Sequence, residues 1–101
     1  MASELVLSPA AINDLDEIVG YYHLFSPETA RRYFDTIIHS LRGLTEWPER
    51  GRIVPEFLAE GEKRYRELII EQFRAIYRLD KERILVIRIV DGRRLVSTAL
   101  L

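Results

Sequence analysis

Arginine is the residue type in this sequence best suited to binding anionic groups, and the charged residues are unevenly distributed along the chain. Residues 1–51 carry four Lys/Arg and eight Asp/Glu, a net charge of −4, whereas residues 52–101 carry eleven and eight, a net charge of +3. Most cations of the second half are arginine, whose planar guanidinium makes forked contacts to phosphate or carboxylate. The pattern indicates either a surface for a phosphate-rich or acidic partner or ordinary solvated charge.

Other kinds of chemistry are limited by what the sequence lacks. It contains no cysteine, which excludes disulfides and thiolate metal sites. The two histidines, His23 and His39, are too few and too scattered to predict a metal site, and we expect both on the surface. The overall net charge of −1 argues against nucleic-acid binding driven by bulk charge. We therefore expect no metal and no cofactor.

Length and hydropathy suit a single domain over residues 1–101. The chain is 48% hydrophobic, enough for one core. No apolar run approaches the roughly 20 residues of a membrane span, and the first four residues lack a basic and then apolar signal region. We expect a soluble, cytoplasmic protein.

The first half of the sequence predicts a strand and two helices. Residues 4–7 favour a short strand, and Ser8-Pro9 and Ser26-Pro27 each start a helix with serine as N-cap. Apolar residues recur every three or four positions in both helices. These stripes are Leu15, Ile18, Tyr22 and Phe25, then Ala30, Tyr33, Phe34, Ile37, Ile38, Leu41 and Leu44. With only a residue or two between them, the helices should form a tight hairpin.

The second half predicts a loop and then strands. Residues 48–62 are rich in proline, glycine and charge, which is typical of a loop, and Trp47 ahead of it should plug the hairpin against the sheet. A period of two then predicts strands at 64–71, 73–79 and 84–90, with a polar turn at 80–83. Strands joined by short turns pair antiparallel. We therefore predict an α+β fold of order β-α-α-β-β-β, with an antiparallel helical hairpin on one face of a largely antiparallel sheet.

Two arginines alternate with the apolar residues of the strand at 73–79. Arg74 and Arg78 share one face, opposite Phe73, Ala75, Tyr77 and Leu79. That face is either a functional surface or simply solvated, with the arginines paired across the sheet to Glu67 or Glu71.

Four segments, in this order, resemble the ParE/RelE toxin superfamily over essentially the whole chain. The first is Leu7-Ser8-Pro9-Ala10 followed by Asp14-Leu15 and Ile18. The second is Trp47-Pro48 with Gly51-Arg52 and Pro55-Glu56. The third is Tyr65-Arg66-Glu67-Leu68 leading into Phe73-Arg74-Ala75-Ile76-Tyr77-Arg78, and the last is Val90-Asp91-Gly92-Arg93-Arg94. None is specific alone, and together they make a strong match.

The resemblance implies the toxin of a type II toxin–antitoxin, or plasmid-stabilisation, system. Such a toxin is neutralised by a small antitoxin encoded beside it, which lays an extended or helical segment over the toxin. RelE-like members are mRNA interferases that cut mRNA in the ribosomal A site. ParE-like members poison DNA gyrase and are not known to need a catalytic residue.

RNA cleavage through the 2′-hydroxyl needs a proton acceptor, a proton donor and positive charge for the phosphate. The resemblance implies Arg74 as the arginine that holds the phosphate, Arg93 or Arg94 as a second arginine, and Glu56 as a catalytic glutamate. The sequence departs from nuclease members because no tyrosine follows Tyr77. Asp91 also stands where many relatives have histidine. These departures favour the ParE-like branch, with a RelE-like ribosome-dependent nuclease, or a degenerate member acting in operon autoregulation, as alternatives.

Two surfaces are predicted for partners. The target, DNA gyrase or, on the alternative, the ribosome and mRNA, would be bound by the arginines Arg66, Arg74, Arg78, Arg93 and Arg94. The antitoxin would cover the last strand and the apolar tail, roughly residues 86–101, and shield Arg93 and Arg94. Its expected contacts are Val86, Arg88, Val90, Leu95, Val96 and Leu100.

Overall fold

The computed structural model describes residues 3–92, 96–97 and 101 and contains eight helices and strands in that part of the chain. They are β1 (Glu4–Leu7), α1 (Pro9–His23), α2 (Pro27–Gly43), β2 (Arg52–Ile53), α3 (Pro55–Leu58), β3 (Tyr65–Ile70), β4 (Phe73–Asp80) and β5 (Arg83–Asp91). The predicted α+β class, with two helices on one face of a largely antiparallel sheet, is confirmed.

Serine N-caps begin both long helices, as the sequence predicts. The Ser8 hydroxyl oxygen accepts the Ala11 N–H at 3.0 Å, and that of Ser26 accepts the Thr29 N–H at 3.2 Å. Ser8 also donates its hydroxyl proton to the Ile87 carbonyl at 2.8 Å, so this cap ties α1 to β5. None of the helices in the described part of the chain is long and apolar enough to span a membrane.

The sheet has the strand order β1-β5-β4-β3-β2. The strands β3, β4 and β5 pair antiparallel in sequence order, and β1 pairs parallel to β5, with Leu5 opposite Ile84. A register shift in the β4–β5 pair falls between Ile76, opposite Arg88, and Tyr77, opposite Val86. The last strand therefore lies inside the sheet, with a neighbour on each side.

Apolar side chains fill both faces of the sheet. The larger core lies between the sheet and the helices and includes Ala11, Leu15, Ile37, Leu41, Leu44, Leu68, Phe73, Ala75, Tyr77, Ile84 and Val86. A smaller core on the opposite face consists of Val54, Phe57, Tyr65, Ile76, Val90 and Val96. The sheet is thus covered on the helical face and, in part, on the other.

Three expectations about the first 62 residues are wrong. The predicted loop at 48–62 contains β2 and α3, which add a short strand to the sheet edge and a helical turn to its second face. Trp47 does not plug the hairpin, since its side chain is 63% exposed. Phe25 lies beyond the end of α1 and is 72% exposed, because the helix ends at His23, before the stripe reaches it.

Candidate functional site

Arg74 is the second residue of β4, the central strand of the sheet, and lies on the face opposite the helices, with its side chain only 8% exposed. Its Nε donates to one oxygen of Glu67 at 2.6 Å. Its two terminal nitrogens each donate to a different oxygen of Glu56 at 2.7 Å. The predicted pairing with Glu67 is present, whereas the expectation of a solvated face is wrong for Arg74.

The short helix α3 brings Glu56 to this arginine. Pro55 occupies the first position of α3, and Phe57, fully buried in the smaller core, holds the helical turn against the sheet. Glu56 also accepts the Val96 backbone N–H at 3.2 Å. Hydrogen bonds from Arg74 lower the pKa of Glu56 to about 2, and those bonds raise the pKa of Arg74 above its usual range.

The pair extends into a chain of alternating charges. Glu67 is 1% exposed, and its second oxygen accepts from the Arg52 Nε at 2.7 Å. Two guanidinium groups thus neutralise two carboxylates in the order Arg52, Glu67, Arg74, Glu56. Buried charges are stable only when paired in this way. In this arrangement Arg74 presents no surplus positive charge to a phosphate, and both oxygens of Glu56 are hydrogen-bonded.

Tyr77 is the last tyrosine of the sequence, and its hydroxyl is also engaged. The oxygen accepts the Gly51 N–H at 2.9 Å and donates its proton to the Pro48 carbonyl at 2.8 Å. Burial raises the pKa of Tyr77. The hydroxyl fastens the segment that precedes β2. It does not lie at the Arg74 cluster as a proton donor.

A second buried ion pair links α1 to β5. Arg88 donates through Nε and Nη2 to the two oxygens of Asp14 at 2.7 and 2.8 Å, and Asp14 also accepts the Ile89 N–H at 2.9 Å. Hydrogen bonding to Asp14 raises the pKa of Arg88. This pair was not predicted from the sequence. The missed signal is an arginine inside an apolar strand, which needs an anionic partner.

The residues predicted to contact the antitoxin are mostly interior. Val86 is 0%, Val90 3% and Val96 4% exposed, and Arg88 is held by Asp14. The expectation that these side chains are offered on a surface is wrong, because β1 covers the outer edge of β5 and both sheet faces are packed. Leu95 and Leu100 lie outside the described residues. Antitoxin contact at these six positions stays a prediction.

The predicted target-binding arginines fall into separate places. Arg66 and Arg78 line one groove of about 450 Å³ at the end of the sheet where β3 begins and β4 ends, together with Lys63, Arg64, Leu79 and Asp80. Arg66 donates to the Gly51 carbonyl at 2.8 Å. Arg74 lies four residues back along β4, about 13 Å away, and belongs to the buried cluster. Arg93 and Arg94 lie outside the described residues.

Metal-binding potential is low in the part of the chain that the structure describes. There, no three or more histidine, cysteine, aspartate or glutamate side chains converge in a way that could hold an ion. The site chemistry is instead that of guanidinium and carboxylate groups, in which two buried clusters are closed and one surface groove is open.

The comparisons with known proteins agree with the predicted resemblance. Residues 5–96 match the model of a family described as the ParE toxin of the type II toxin–antitoxin system parDE. A solved structure from the chromosomal ParDE toxin–antitoxin system of P. aeruginosa is similar, with a TM-score of 0.74 and 25% identity over 89% of this chain and 96% of that chain.

A more distant solved structure shares the fold. A chain of the RelBE2 toxin–antitoxin complex from Mycobacterium tuberculosis has a TM-score of 0.66 and 16% identity over 90% of this chain and 99% of that chain. Identity this low shows the fold alone. No curated protein matches the chain.

Proposed function

We propose that this chain, which belongs to the ParE toxin family of type II toxin–antitoxin systems, is a binding toxin that inhibits DNA gyrase. A cognate antitoxin from the same operon would neutralise it by forming a hetero-oligomer. The family match and the similar structure from P. aeruginosa support the antitoxin partner, because both belong to ParDE toxin–antitoxin systems. A gyrase target also implies the cytoplasmic location expected from the sequence.

The observation that carries the choice of a binding toxin is the closed Arg74 cluster. A nuclease needs a cation free to hold phosphate and a group free to accept a proton. Arg74 is bound by two carboxylates, and Glu56, with a pKa of about 2, is a weak base whose oxygens are both engaged. A nuclease would have to open this cluster first, whereas a toxin that acts by binding uses the surface as it is.

The deciding experiment is to induce the toxin alone in a bacterium and follow thymidine, uridine and amino-acid incorporation together. We expect thymidine incorporation to fail first, and purified toxin to inhibit supercoiling by gyrase. Earlier failure of amino-acid incorporation would contradict the proposal and favour the ribosome-dependent nuclease. No change in any of the three would indicate a degenerate member that acts in operon autoregulation.

A variant at Arg74 separates the two mechanisms. Arg74→Ala should weaken toxicity of a gyrase inhibitor only as far as it destabilises the fold, but should abolish cleavage by a nuclease. Because it leaves Glu67, 1% exposed, without its closest partner, we expect about 3–5 kcal/mol of lost stability in urea unfolding.

The matched control is Arg52→Ala, which removes the exposed cation of the same chain of charges. Its side chain is 62% exposed, so the loss in stability should stay below about 1 kcal/mol. Toxicity of both variants is compared at equal folded fraction. Complete loss of toxicity in folded Arg74→Ala, with Arg52→Ala unaffected, would favour the nuclease.

A further inference from the structure

One end of the sheet carries an open surface that combines positive charge with exposed apolar side chains. Its cationic groove is lined by Lys63, Arg64, Arg66, Arg78, Leu79 and Asp80. A smaller cavity of about 270 Å³ adjoins it and is lined by Ser3, Trp47, Pro48, Glu49, Leu79 and Lys81. Leu79 lines both, so the two form one continuous surface, here named the sheet-end surface.

Most cations that line the groove lack the carboxylate partner that the arginines of the two buried clusters have. Arg52, Arg74 and Arg88 each bind a carboxylate within 2.7 Å. Within the described part of the chain, Lys63, Arg66 and Arg78 make no ion pair. Of the cations that line the groove, Arg64 alone is paired, with Glu62 at 2.8 Å.

Arg78 is the clearest example of a cation without a carboxylate partner on this surface. Its Nε is buried and has no hydrogen-bond partner among the described residues. A buried donor without a partner is rare and costly in a folded protein, so it requires an explanation. No carboxylate of the described residues pairs with this guanidinium, and it lines the groove, where a bound anion would neutralise its charge.

Apolar side chains supply the second part of the surface. Trp47 is 63% and Leu79 41% exposed, on the rim next to the cations. Tryptophan and arginine are the residue types that most often dominate the binding energy of protein interfaces. The Trp47 segment is also held in place, because the Tyr77 hydroxyl binds Pro48 and Gly51 next to it.

We propose that the sheet-end surface docks an acidic segment of the target protein, whose carboxylates meet Arg66, Arg78 and Lys63 while an apolar side chain packs on Trp47 and Leu79. The inference rests on the proposed function, since it names the surface by which a binding toxin holds its target. It also explains why the arginines predicted for target binding divide into a buried pair at Arg74 and an open set here.

A protein segment fits this surface better than a nucleic acid does. Nucleic-acid binding draws on cations spread along many phosphates, whereas here the positive charge is confined to one groove. Asp80 lines that groove and Glu49 the adjoining cavity, so the surface can accept negative charge only beside its cations and not along a continuous phosphate backbone. A few carboxylates with one apolar anchor match the size and the mixed character of the surface.

Trp47 provides the test, because it is the only tryptophan of the chain and lies on the surface itself. Its fluorescence is followed while purified toxin is titrated with a short synthetic peptide of aspartate and glutamate around one leucine. The comparison probes are the same peptide with lysine at the acidic positions and a single-stranded DNA oligomer. We expect a saturable change with the acidic peptide only.

Charge reversal locates the binding. Arg78→Glu and Lys63→Glu should each weaken the acidic peptide about tenfold or more, because the new carboxylate repels those of the peptide. Lys63 is exposed, so this second variant keeps the test valid if Arg78→Glu does not fold. The matched control is Arg31→Glu near the start of α2, where the side chain is 79% exposed and away from the surface.

The outcomes separate this inference from the proposed function. No response of the wild type to the acidic peptide, tighter binding of DNA, or equal binding by Lys63→Glu and Arg31→Glu would overturn the inference. Gyrase supercoiling is assayed with the same proteins. If Lys63→Glu and Arg78→Glu inhibit gyrase as strongly as the wild type, the docking surface is overturned and the proposed function is kept. If the wild type binds the acidic peptide but does not inhibit gyrase, the proposed function is overturned and the peptide-binding surface is kept.

Discussion

At the scale of single residues, whether a charged side chain is available for binding depends more on its partners in the fold than on its residue type. Arg74 and Arg78 lie on the same face of β4, yet Arg74 is closed by Glu56 and Glu67, and Arg78 makes no ion pair with a described residue. Their sequence context, alternating with apolar residues, is the same. What separates them is α3, which delivers Glu56 to Arg74 and does not extend to Arg78.

The ionisation of Glu56 predicts how the stability of the fold depends on pH. Its pKa is about 2 in the folded protein, chiefly through hydrogen bonds from Arg74, against about 4.3 for an unfolded glutamate. Since the folded value is the lower one, its contribution is complete above about pH 4.3 and is lost as the pH falls towards 2. We expect the free energy of unfolding to fall across that window, and less steeply in Glu56→Gln.

Urea unfolding at a series of pH values measures this dependence. The control is Glu60→Gln, an exposed glutamate in the turn that follows α3, which should keep the wild-type slope. An unchanged slope in Glu56→Gln would mean that Glu56 is not ionised against Arg74 in solution.

At the scale of the elements, the long helices carry their start signals in their own sequence, whereas the short helical turn α3 depends on tertiary contacts to form. Both long helices begin at the predicted serines. The turn α3 is too short to be stable alone and depends on the burial of Phe57. At Gly51, ahead of β2, an added Cβ would lie 2.5 Å from the Glu67 carbonyl oxygen, so only glycine lets the chain approach β3.

The two serine caps make a matched pair for a prediction at this scale. Ser8→Ala should cost about 1–2 kcal/mol of stability, at the upper end for a helix cap, because it also removes the bond to the Ile87 carbonyl of β5. Ser26→Ala removes a cap alone and should cost about 0.5–1 kcal/mol. Urea unfolding measures both losses. Equal losses would show that the bond between Ser8 and β5 adds no stability.

At the scale of the whole molecule, the two ends of the chain complete the fold. The N-terminal β1 covers the outer edge of β5, and Val96, near the C-terminus, is buried in the smaller core on the other face. The Val96 N–H also binds Glu56, so this core and the Arg74 cluster depend on the same segment. Three of the side chains predicted to contact the antitoxin, Val86, Val90 and Val96, are therefore part of the toxin's own interior.

Truncation tests this role of the chain end. Ending the chain after residue 94 should cost about 2 kcal/mol of stability in urea unfolding, because it removes Val96, which is 4% exposed. Ending it after Ser97 keeps Val96 and should cost much less. Equal stability of the two truncated chains would contradict a structural role for Val96.

The same two truncated chains test the predicted antitoxin contact. If the antitoxin binds the tail, the chain that ends after Ser97 should be folded and yet bind the antitoxin more weakly. Deletion of residues 95–101 without loss of antitoxin affinity would refute contact with the tail.

The sequence by itself determined the fold class, the antiparallel strands and the family, because periodicity and caps are local properties and the family motifs follow in order. Only the tertiary structure decided which arginines are available. α1 and α3 lie far along the chain from the strands they pack on, and the ion pairs they form, Asp14 with Arg88 and Glu56 with Arg74, join residues 74 and 18 positions apart. Burial and pairing of a charge depend on these distant neighbours, which no local pattern encodes.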